Sequence, residues 1–186
     1  ELVMLLVLDE EVKKKVSGLL AQNGVNLSKV IFHIAEYADV WLRDYGPMFV
    51  VDFDKKKLAW VKWQYDAYSK KFPRLLKDNY VFYNLKNKIN APMLESSMVL
   101  EGGSIEQNGQ GTILTTEQCL LGSSRNPQLT KEQIEKNLKK FLGASNIIWL
   151  KRGLKNDHTD GHIDDTARFV SPDTILCAYE ENKNEE

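Results

Sequence analysis

The sequence predicts an α/β protein in which a cycle of β-hairpin, helix and single strand repeats along the chain. Short continuous apolar runs indicate buried strands, and one stretch has the apolar spacing and both end signals of an amphipathic helix. Pairs of strand-like runs flank short polar turns, as the strands of hairpins do. The hairpins are expected to begin near residues 48, 97 and 165, which indicates an internal repeat of structure rather than of sequence.

The first elements are predicted to be a strand, a helix and a second strand. The first strand is the apolar run "LVMLLVL" at 2–8, and the second is "KVIFHIA" at 29–35. Asp9 can cap the start of the helix between them, and Gly24 can end it. Its apolar positions recur at helical spacing and are Val12, Val16, Leu19 and Leu20.

The first hairpin is predicted from the runs "MFVVDF" at 48–53 and "KLAWVKWQY" at 57–65, which lie on either side of "DKKK". The stretch "FPRLLKDNYVFYNL" at 72–85 is expected to be helical in part. The second hairpin is predicted at 97–107 and 111–121, because "SMVLEGGSIEQ" and "GTILTTEQCLL" flank "NGQG" and Asn-Gly tolerates positive φ.

The clearest helix signal is "TKEQIEKNLKKFLG", in which Thr130 and Gln133 form a capping box and Gly143 ends the helix. Its apolar face is Ile134, Leu138 and Phe141. The strand "NIIWL" follows at 146–150. The last hairpin is expected from "TARFV" and "TILCAYE" on either side of "SPD".

The chain enters this cycle one strand short and ends without a helix after the last hairpin. We therefore expect residues 1–186 to form a single domain that is incomplete at both ends, with a polar final stretch, "EENKNEE", that frays. The formal net charge of -1 offers no electrostatic case for nucleic acid or an anionic membrane, and no apolar run approaches a membrane span. Cys119 and Cys177 form no C-x-x-C pair, which favours a reducing cytoplasm.

Acidic clusters lie at or just before the first strand of each predicted hairpin. They are "DVWLRDYGP" at 39–47, "LEGGS" at 100–104 and "DGHIDD" at 160–165. If the repeats surround a shared axis, equivalent strand ends converge in one pocket. The side chains expected to meet there are Asp44, Glu101, His162 and Asp164. Such a carboxylate-rich pocket suits a cationic group.

The segments "WLRDYGP", "LEGGS" and "TDGHIDD", in this order, resemble the motifs of the agmatine deiminase family, which includes bacterial-type peptidylarginine deiminases. "TTEQCLLGSSRNP" is also similar to the family. The resemblance implies a pentein fold, a five-bladed α/β propeller of ββαβ repeats. This chain would then be a partial propeller that lacks its first strand and its C-terminal repeats.

The resemblance also implies roles for the candidate residues. Asp44 and Asp164 would grip the terminal nitrogens of a guanidinium, whose planar fork suits paired carboxylates. Glu101 would hold the remaining N–H groups and assist proton transfer, and His162 would act as general acid and base. Trp41 is a candidate wall of the substrate pocket, although a tryptophan between apolar residues is more often part of a core.

The family implies a cysteine nucleophile in a Gly-rich stretch that ends in His-Cys, and this sequence has no such stretch. Cys119 and Cys177 lie in predicted apolar strands, and we interpret both as small core residues. The chain is therefore expected to be a fragment of an agmatine deiminase-type hydrolase of putrescine biosynthesis, inactive and poorly stable alone. A peptidyl- or free-arginine deiminase and a non-catalytic guanidinium-binding module are the alternatives.

Other interpretations of the same residues stay open. Asp44 could pair with Arg43, and Glu101 could be a turn carboxylate before two glycines. We favour turn caps for Asp157, Asp160 and Asp165. A metal site would use His158, Asp160, His162 and Asp164, but an H-x-x-x-H pair binds zinc best from a helix, and Gly161 disfavours one. We predict no metal and no cofactor; the expected partner is a small guanidine, and a homo-oligomer is open.

Overall fold

A computed structural model of the protein describes residues 2–52 and 54–181. The strands are β1 (Val3–Val7), β2 (Val30–Ile34), β3 (Met48–Asp52), β4 (Lys57–Gln64), β5 (Met93–Val99), β6 (Ile105–Gln107), β7 (Thr112–Thr116), β8 (Asn146–Leu150), β9 (Ala167–Ser171) and β10 (Thr174–Cys177). The helices are α1 (Glu10–Gln22), α2 (Leu42–Tyr45), α3 (Ala67–Lys70), α4 (Val81–Leu85), α5 (Glu117–Leu120) and α6 (Lys131–Leu142). Short 3₁₀ turns cover Leu27–Lys29, Pro73–Tyr80, Lys86–Lys88, Gly102–Ser104 and Ile163–Asp165.

The predicted cycle is confirmed in the sheets. Strands β3 and β4 are antiparallel and β5 joins β4 in parallel, and the same arrangement recurs in β6, β7 and β8. The pair β1 and β2 is parallel and spans α1, while β9 and β10 form an antiparallel hairpin. The two-stranded sheets therefore correspond to the end and the beginning of a ββαβ unit.

Local sequence signals determine where α1 and α6 begin and end. Asp9 caps α1 by accepting a hydrogen bond of 2.7 Å from the Val12 N–H. Both hydrogen bonds of the capping box between Thr130 and Gln133 are present in α6. Gly143 ends α6 in the left-handed conformation, with φ +68°, as predicted.

The predicted strand at 97–107 is wrong, and the second hairpin begins at Ile105 rather than near 97. Residues up to Val99 belong to β5 of the preceding sheet. The chain then turns through Gly102–Ser104, where the Ser104 hydroxyl donates a 2.6 Å hydrogen bond to the Glu101 carbonyl. Two consecutive glycines favour this tight turn over an uninterrupted strand.

Of the two cysteines that the sequence predicts to be core residues in strands, Cys119 is a core residue and Cys177 is not. Strand β7 ends at Thr116, whose hydroxyl caps α5 by accepting from the Cys119 N–H at 3.1 Å. Cys119 is buried as expected, but in a helix instead of a strand. Cys177 does lie in a strand, β10, but it is exposed and is not a core residue.

The principal core lies between the two three-stranded sheets and α6, and a second cluster centres on Tyr45, Tyr65 and Tyr68. The stretch predicted to be helical in part consists of the 3₁₀ turn Pro73–Tyr80 followed by α4, which confirms that prediction. No helix within the described residues has the length and apolar character that a bilayer crossing requires. Phe53 of the first predicted hairpin and residues 182–186 of the final polar stretch lie outside the described residues.

Apolar side chains of the outer strands are exposed. In the first strand region they include Leu2, Val3 and Met4, and in the last hairpin region Ile175, Leu176 and Tyr179. Apolar strand surfaces of this kind favour association with other chain segments.

Candidate functional site

Three short helical turns position the candidate residues, and each turn leads into the first strand of a unit. Asp44 lies in α2 immediately before β3. Glu101 precedes the turn Gly102–Ser104 and β6. His162 and Asp164 lie at the turn that leads into β9. Equivalent positions in successive units therefore contribute to one site.

The structure brings these four side chains together. Nδ1 of His162 lies 3.7 Å from Oδ1 of Asp44 and 4.0 Å from Oδ1 of Asp164. Nε2 of the same imidazole lies 4.0 Å from Oε2 of Glu101. Asp44, Glu101 and His162 are buried, and the Asp164 side chain is 20% exposed.

Gly103 lies where these side chains meet. A Cβ on this residue would lie 2.4 Å from Nδ1 of His162, 2.8 Å from Oδ1 of Asp44 and 3.0 Å from Oδ1 of Asp164. The Gly103 N–H donates a 3.0 Å hydrogen bond to Oδ1 of Asp44. Only glycine allows the backbone to approach the polar groups this closely.

Asp44 accepts a second hydrogen bond, 2.7 Å long, from the hydroxyl of Tyr68 to its Oδ2. Burial raises the pKa of Asp44, while the hydrogen bonds from Tyr68 and Gly103 lower it. The alternative in which Asp44 pairs with Arg43 is not what the structure has. The Arg43 guanidinium instead lies 3.9 Å from Asp164 and 3.8 Å from Glu106.

Asp164 is the most accessible of the three carboxylates. Partial burial raises its pKa to about 6, and the neighbouring charge of Asp44 acts in the same direction. Two carboxylates close to one imidazole repel each other, so a bound cation would stabilise both in the ionised form.

Glu101 is completely buried beside Arg125. The Arg125 Nε lies 2.8 Å from Oε2, but its N–H is directed at Oε1, 3.1 Å away, so Oε2 makes no hydrogen bond within the described residues. Burial raises the pKa of Glu101 to about 7, although Arg125 lowers it. The alternative of a turn carboxylate is wrong, because in the part of the chain that the structure describes the Glu101 side chain makes no capping hydrogen bond.

The backbone of His162 is held by Asp157, whose carboxylate accepts from the N–H groups of Thr159, Gly161 and His162. Asp157 is thus the predicted turn cap. Burial lowers the pKa of His162 to about 3, and the Arg125 charge contributes, so the imidazole is neutral near pH 7. Its Nε2 is buried and has no hydrogen-bond partner among the described residues.

Asp160 and Asp165 are not the turn caps that we favoured. Asp160 pairs with Lys71 and lies 3.6 Å from Nη1 of Arg125. It therefore joins the loop before β9 to the segment after β4. Asp165 is exposed overall, but the partial burial of its carboxyl raises its pKa, and the charge of Asp157 acts in the same direction.

Within the described residues, one group has potential metal-ligand atoms that all lie within 4.8 Å of each other, and it is Glu101, Cys119 and His162. This is not the set that the loop sequence suggested, since the His158 side chain is 70% exposed. Arg125 already supplies a positive charge to Glu101, which disfavours a second cation there.

Trp41 is not a core residue. It is 60% exposed and borders a small cavity of about 140 Å³ next to Tyr68. The other residues around this cavity are Asp39, Phe72, Arg74, Leu75 and His158.

Sequence reasoning missed two side chains that contact the site, Tyr68 and Arg125. Arg125 donates hydrogen bonds to the carbonyls of Cys119 and Thr159 besides its contact with Glu101. It lies in the segment "GSSRNP", whose composition is that of a surface loop. No periodicity in the sequence marks either residue, because both reach the site from segments outside the acidic clusters.

The chain matches a protein family described as Porphyromonas-type peptidyl-arginine deiminase over residues 1–186. It is 42% identical over 156 residues to the agmatine deiminase of Stutzerimonas stutzeri (strain A1501), a match covering 79% of this chain and 41% of that protein. The chain spans about half the length of the relatives it matches.

Solved structures of agmatine deiminases also resemble this chain. A C. jejuni agmatine deiminase with a cysteine-to-serine substitution and bound substrate has a TM-score of 0.85 and 34% identity, covering 100% of this chain and 53% of that chain. An Enterococcus faecalis agmatine deiminase has a TM-score of 0.83 and 31% identity, covering 97% and 49%. The mixed α/β fold is therefore that of agmatine deiminases, which agrees with the partial pentein propeller expected from the resemblance.

Proposed function

The chain belongs to the Porphyromonas-type peptidyl-arginine deiminase family, and from this premise we propose that it forms the guanidinium-binding part of an agmatine deiminase. The whole protein would convert agmatine and water to N-carbamoylputrescine and ammonia by covalent cysteine catalysis. It would act in the cytoplasm, where its two free cysteines stay reduced, and it would need no metal or organic cofactor.

The observation that carries this proposal is the convergence of three carboxylates on one buried imidazole. A guanidinium is planar and has several N–H donors in a fixed arrangement, which paired carboxylates match. Among the described residues, the buried Nε2 of His162 has no hydrogen-bond partner, and Oε2 of Glu101 makes no hydrogen bond although the Arg125 charge lies 2.8 Å away. Since a buried polar atom without a partner is costly, a ligand N–H group would stabilise both.

In the proposed mechanism, Asp44 and Asp164 hold the guanidinium and Glu101 contacts its remaining N–H groups. Because His162 is neutral near pH 7, it can accept the proton of the thiol, whose sulfur then bonds to the guanidinium carbon. His162 delivers that proton to the amino group whose C–N bond breaks, and this group departs as ammonia. The same imidazole then removes a proton from the water that releases the product.

The nucleophile would come from outside these 186 residues. Cys119 has its sulfur within 4.8 Å of Glu101 and His162. However, burial raises the pKa of its thiol, which disfavours the reactive thiolate. Cys119 therefore does not suit the attacking role, although it packs against the site.

The test is to express residues 1–186, establish by circular dichroism that the chain is folded under the assay conditions, and measure agmatine binding by calorimetry. Putrescine is the control ligand because it lacks the guanidinium. We expect agmatine to bind in preference to putrescine, and we expect this chain to release no ammonia. The protein expressed from the complete reading frame should release ammonia from agmatine. Equal binding of both ligands would contradict the proposal, and turnover that depends on Cys119 would contradict the position of the nucleophile.

The same assay separates the alternative substrates. Free arginine and a peptide with an internal arginine should be tested beside agmatine in the protein from the complete reading frame. A higher kcat/KM for either would assign the site to an arginine or peptidyl-arginine deiminase. Guanidinium binding without turnover of any of the three would indicate a binding module.

A further inference from the structure

Tyr68 contacts the site although it lies in none of the motifs that suggested it. Its hydroxyl donates a 2.7 Å hydrogen bond to Oδ2 of Asp44, and its ring centroid lies 5.9 Å from that of His162. Oδ1 of the same carboxylate accepts from the N–H of Gly103. Asp44 is therefore held at both oxygens, by a residue that follows β4 and by another that precedes β6.

The backbone that carries Tyr68 is left-handed. The φ angles are 61° at Ala67, 58° at Tyr68, 61° at Ser69 and 63° at Lys70. None of these residues is glycine, so each Cβ crowds the backbone in this conformation. A run of such residues persists only where surrounding contacts hold it, and strain of this kind is frequent at functional sites.

The contacts that hold this turn lead directly to the rest of the site. The Ser69 hydroxyl donates a 3.2 Å hydrogen bond to Oδ2 of Asp160. The Lys71 ammonium pairs with Asp160 and donates a 3.0 Å hydrogen bond to the carbonyl of His158. These contacts therefore connect the strained turn at 67–70 to the loop that ends at His162.

We propose that Tyr68 is a positioning residue for the guanidinium site, and that the left-handed turn holds its hydroxyl against Asp44 so that this carboxylate stays ionised and correctly oriented. The inference rests on the proposed function, because it assigns Asp44 to a bound guanidinium. A hydroxyl fixed in this way stabilises the carboxylate without itself contacting the substrate.

The ionised form of Asp44 requires stabilisation by a hydrogen-bond donor, because the carboxyl is buried. Burial raises the pKa of this carboxyl, and the hydrogen bond from Tyr68 is the largest opposing influence. The titratable and charged groups that face it are Arg43, Tyr65, Tyr68, His162, Asp164 and Asp165. Of these, Arg43 favours ionisation and Asp165 opposes it.

The experiment uses Tyr68→Phe in the protein expressed from the complete reading frame and measures kcat/KM for agmatine between pH 5 and 9. Loss of a hydrogen bond to a charged group predicts a fall of about tenfold or more near neutral pH. The acidic limb of the pH profile should move to higher pH, because Asp44 then loses its proton less readily. A purely structural role would lower thermal stability and leave that limb in place.

The matched control is Tyr83→Phe, which also removes a hydroxyl that donates to a carboxylate, that of Glu95, away from the site. It should leave kcat/KM and the pH profile unchanged. If wild-type protein does not turn over agmatine, the proposed function itself fails. If wild-type protein is active and Tyr68→Phe matches it across the pH range, only the role of Tyr68 is overturned.

A second variant tests the fastening of the turn. Lys71→Met removes the ion pair with Asp160 but keeps the Tyr68 hydroxyl. We expect a smaller loss of kcat/KM than in Tyr68→Phe, and little further loss when the two substitutions are combined, because both act through the same hydrogen bond. Fully additive losses would contradict the proposed link between turn and carboxylate.

Discussion

Nδ1 of His162 lies 3.7 Å from Oδ1 of Asp44, and the Cα of Gly103 presents its hydrogen toward both. These residues come from three different units of the fold, so the contact depends on how the units pack. The space left by the missing side chain of Gly103 lets the imidazole and the carboxylate approach each other.

Gly103→Ala should therefore disrupt the site. Its Cβ would lie 2.4 Å from the His162 imidazole and 2.8 Å from the Asp44 carboxylate. We expect loss of agmatine binding and a destabilisation of about 1–3 kcal/mol, as for other overpacked positions. Gly18→Ala in α1 is the control: no atom of the described residues lies within 4 Å of its added Cβ, so stability should increase by about 1 kcal/mol. Calorimetry and urea unfolding measure both effects.

Asp164→Asn should nearly abolish agmatine turnover in the protein from the complete reading frame. The substitution replaces a charge-assisted contact with a neutral one, which costs about 1.5–3 kcal/mol and more in a dry site. Steady-state kinetics measure the loss. Unchanged kinetics would mean that the paired carboxylates do not hold the substrate. A chelator should leave the wild-type rate unchanged, and a loss that zinc restores would favour a metal site.

Agmatine binding should strengthen as pH rises through about 6. Burial, together with Asp44 and Asp165, raises the pKa of Asp164 to about 6, and the ligand requires the ionised form. Because this folded-state pKa is raised above the ordinary value of 3.8, Asp164 stabilises the unliganded fold at low pH, and that contribution is lost as pH rises through about 6. Calorimetric titrations between pH 5 and 8 measure the affinity, and Asp164→Asn should remove the step near 6.

Arg125→Met should be strongly destabilising, by about 3–5 kcal/mol, because it leaves the buried Glu101 carboxylate without its ionic partner. Two backbone carbonyls, those of Cys119 and Thr159, would also lose a donor. Lys77→Met removes the exposed pair with Glu36 and should cost less than about 1 kcal/mol. Chemical unfolding of the two variants compares them, and similar losses would show that Arg125 has no special structural role.

Lys70→Gly should leave stability unchanged or increase it by up to about 1.5 kcal/mol. Relief of left-handed strain is worth about 1–2 kcal/mol for an ordinary residue, and the added flexibility of glycine offsets about 0.5–1 kcal/mol of it. Lys136→Gly, at an exposed position inside α6, should instead destabilise by about 1 kcal/mol. If both variants lost the same stability, residue 70 would not be strained.

Much of the fold could be predicted because its signals are local. The capping box of Thr130 and Gln133, the terminal Gly143 and the continuous apolar run of β1 each lie within a few residues of the element that they define. The predicted start of the second hairpin, near residue 97, lies before the observed start at Ile105, because the apolar residues of β5 continue directly into "LEGGS". Whether such a run stays in one sheet or crosses to the next depends on pairing partners elsewhere in the chain.

In the candidate site, too, some features follow from local sequence and others from contacts between distant segments. The sequence by itself determined which residues could form it, because Asp44, Glu101, His162 and Asp164 occupy equivalent places before the first strands of successive units. Only the tertiary structure decided that Arg125 neutralises Glu101, that Tyr68 holds Asp44 and that Cys119 lies beside the imidazole. The physical reason is that hydrogen bonding, ion pairing and burial act through space over a few ångströms, whereas sequence patterns report mainly on neighbours along the chain.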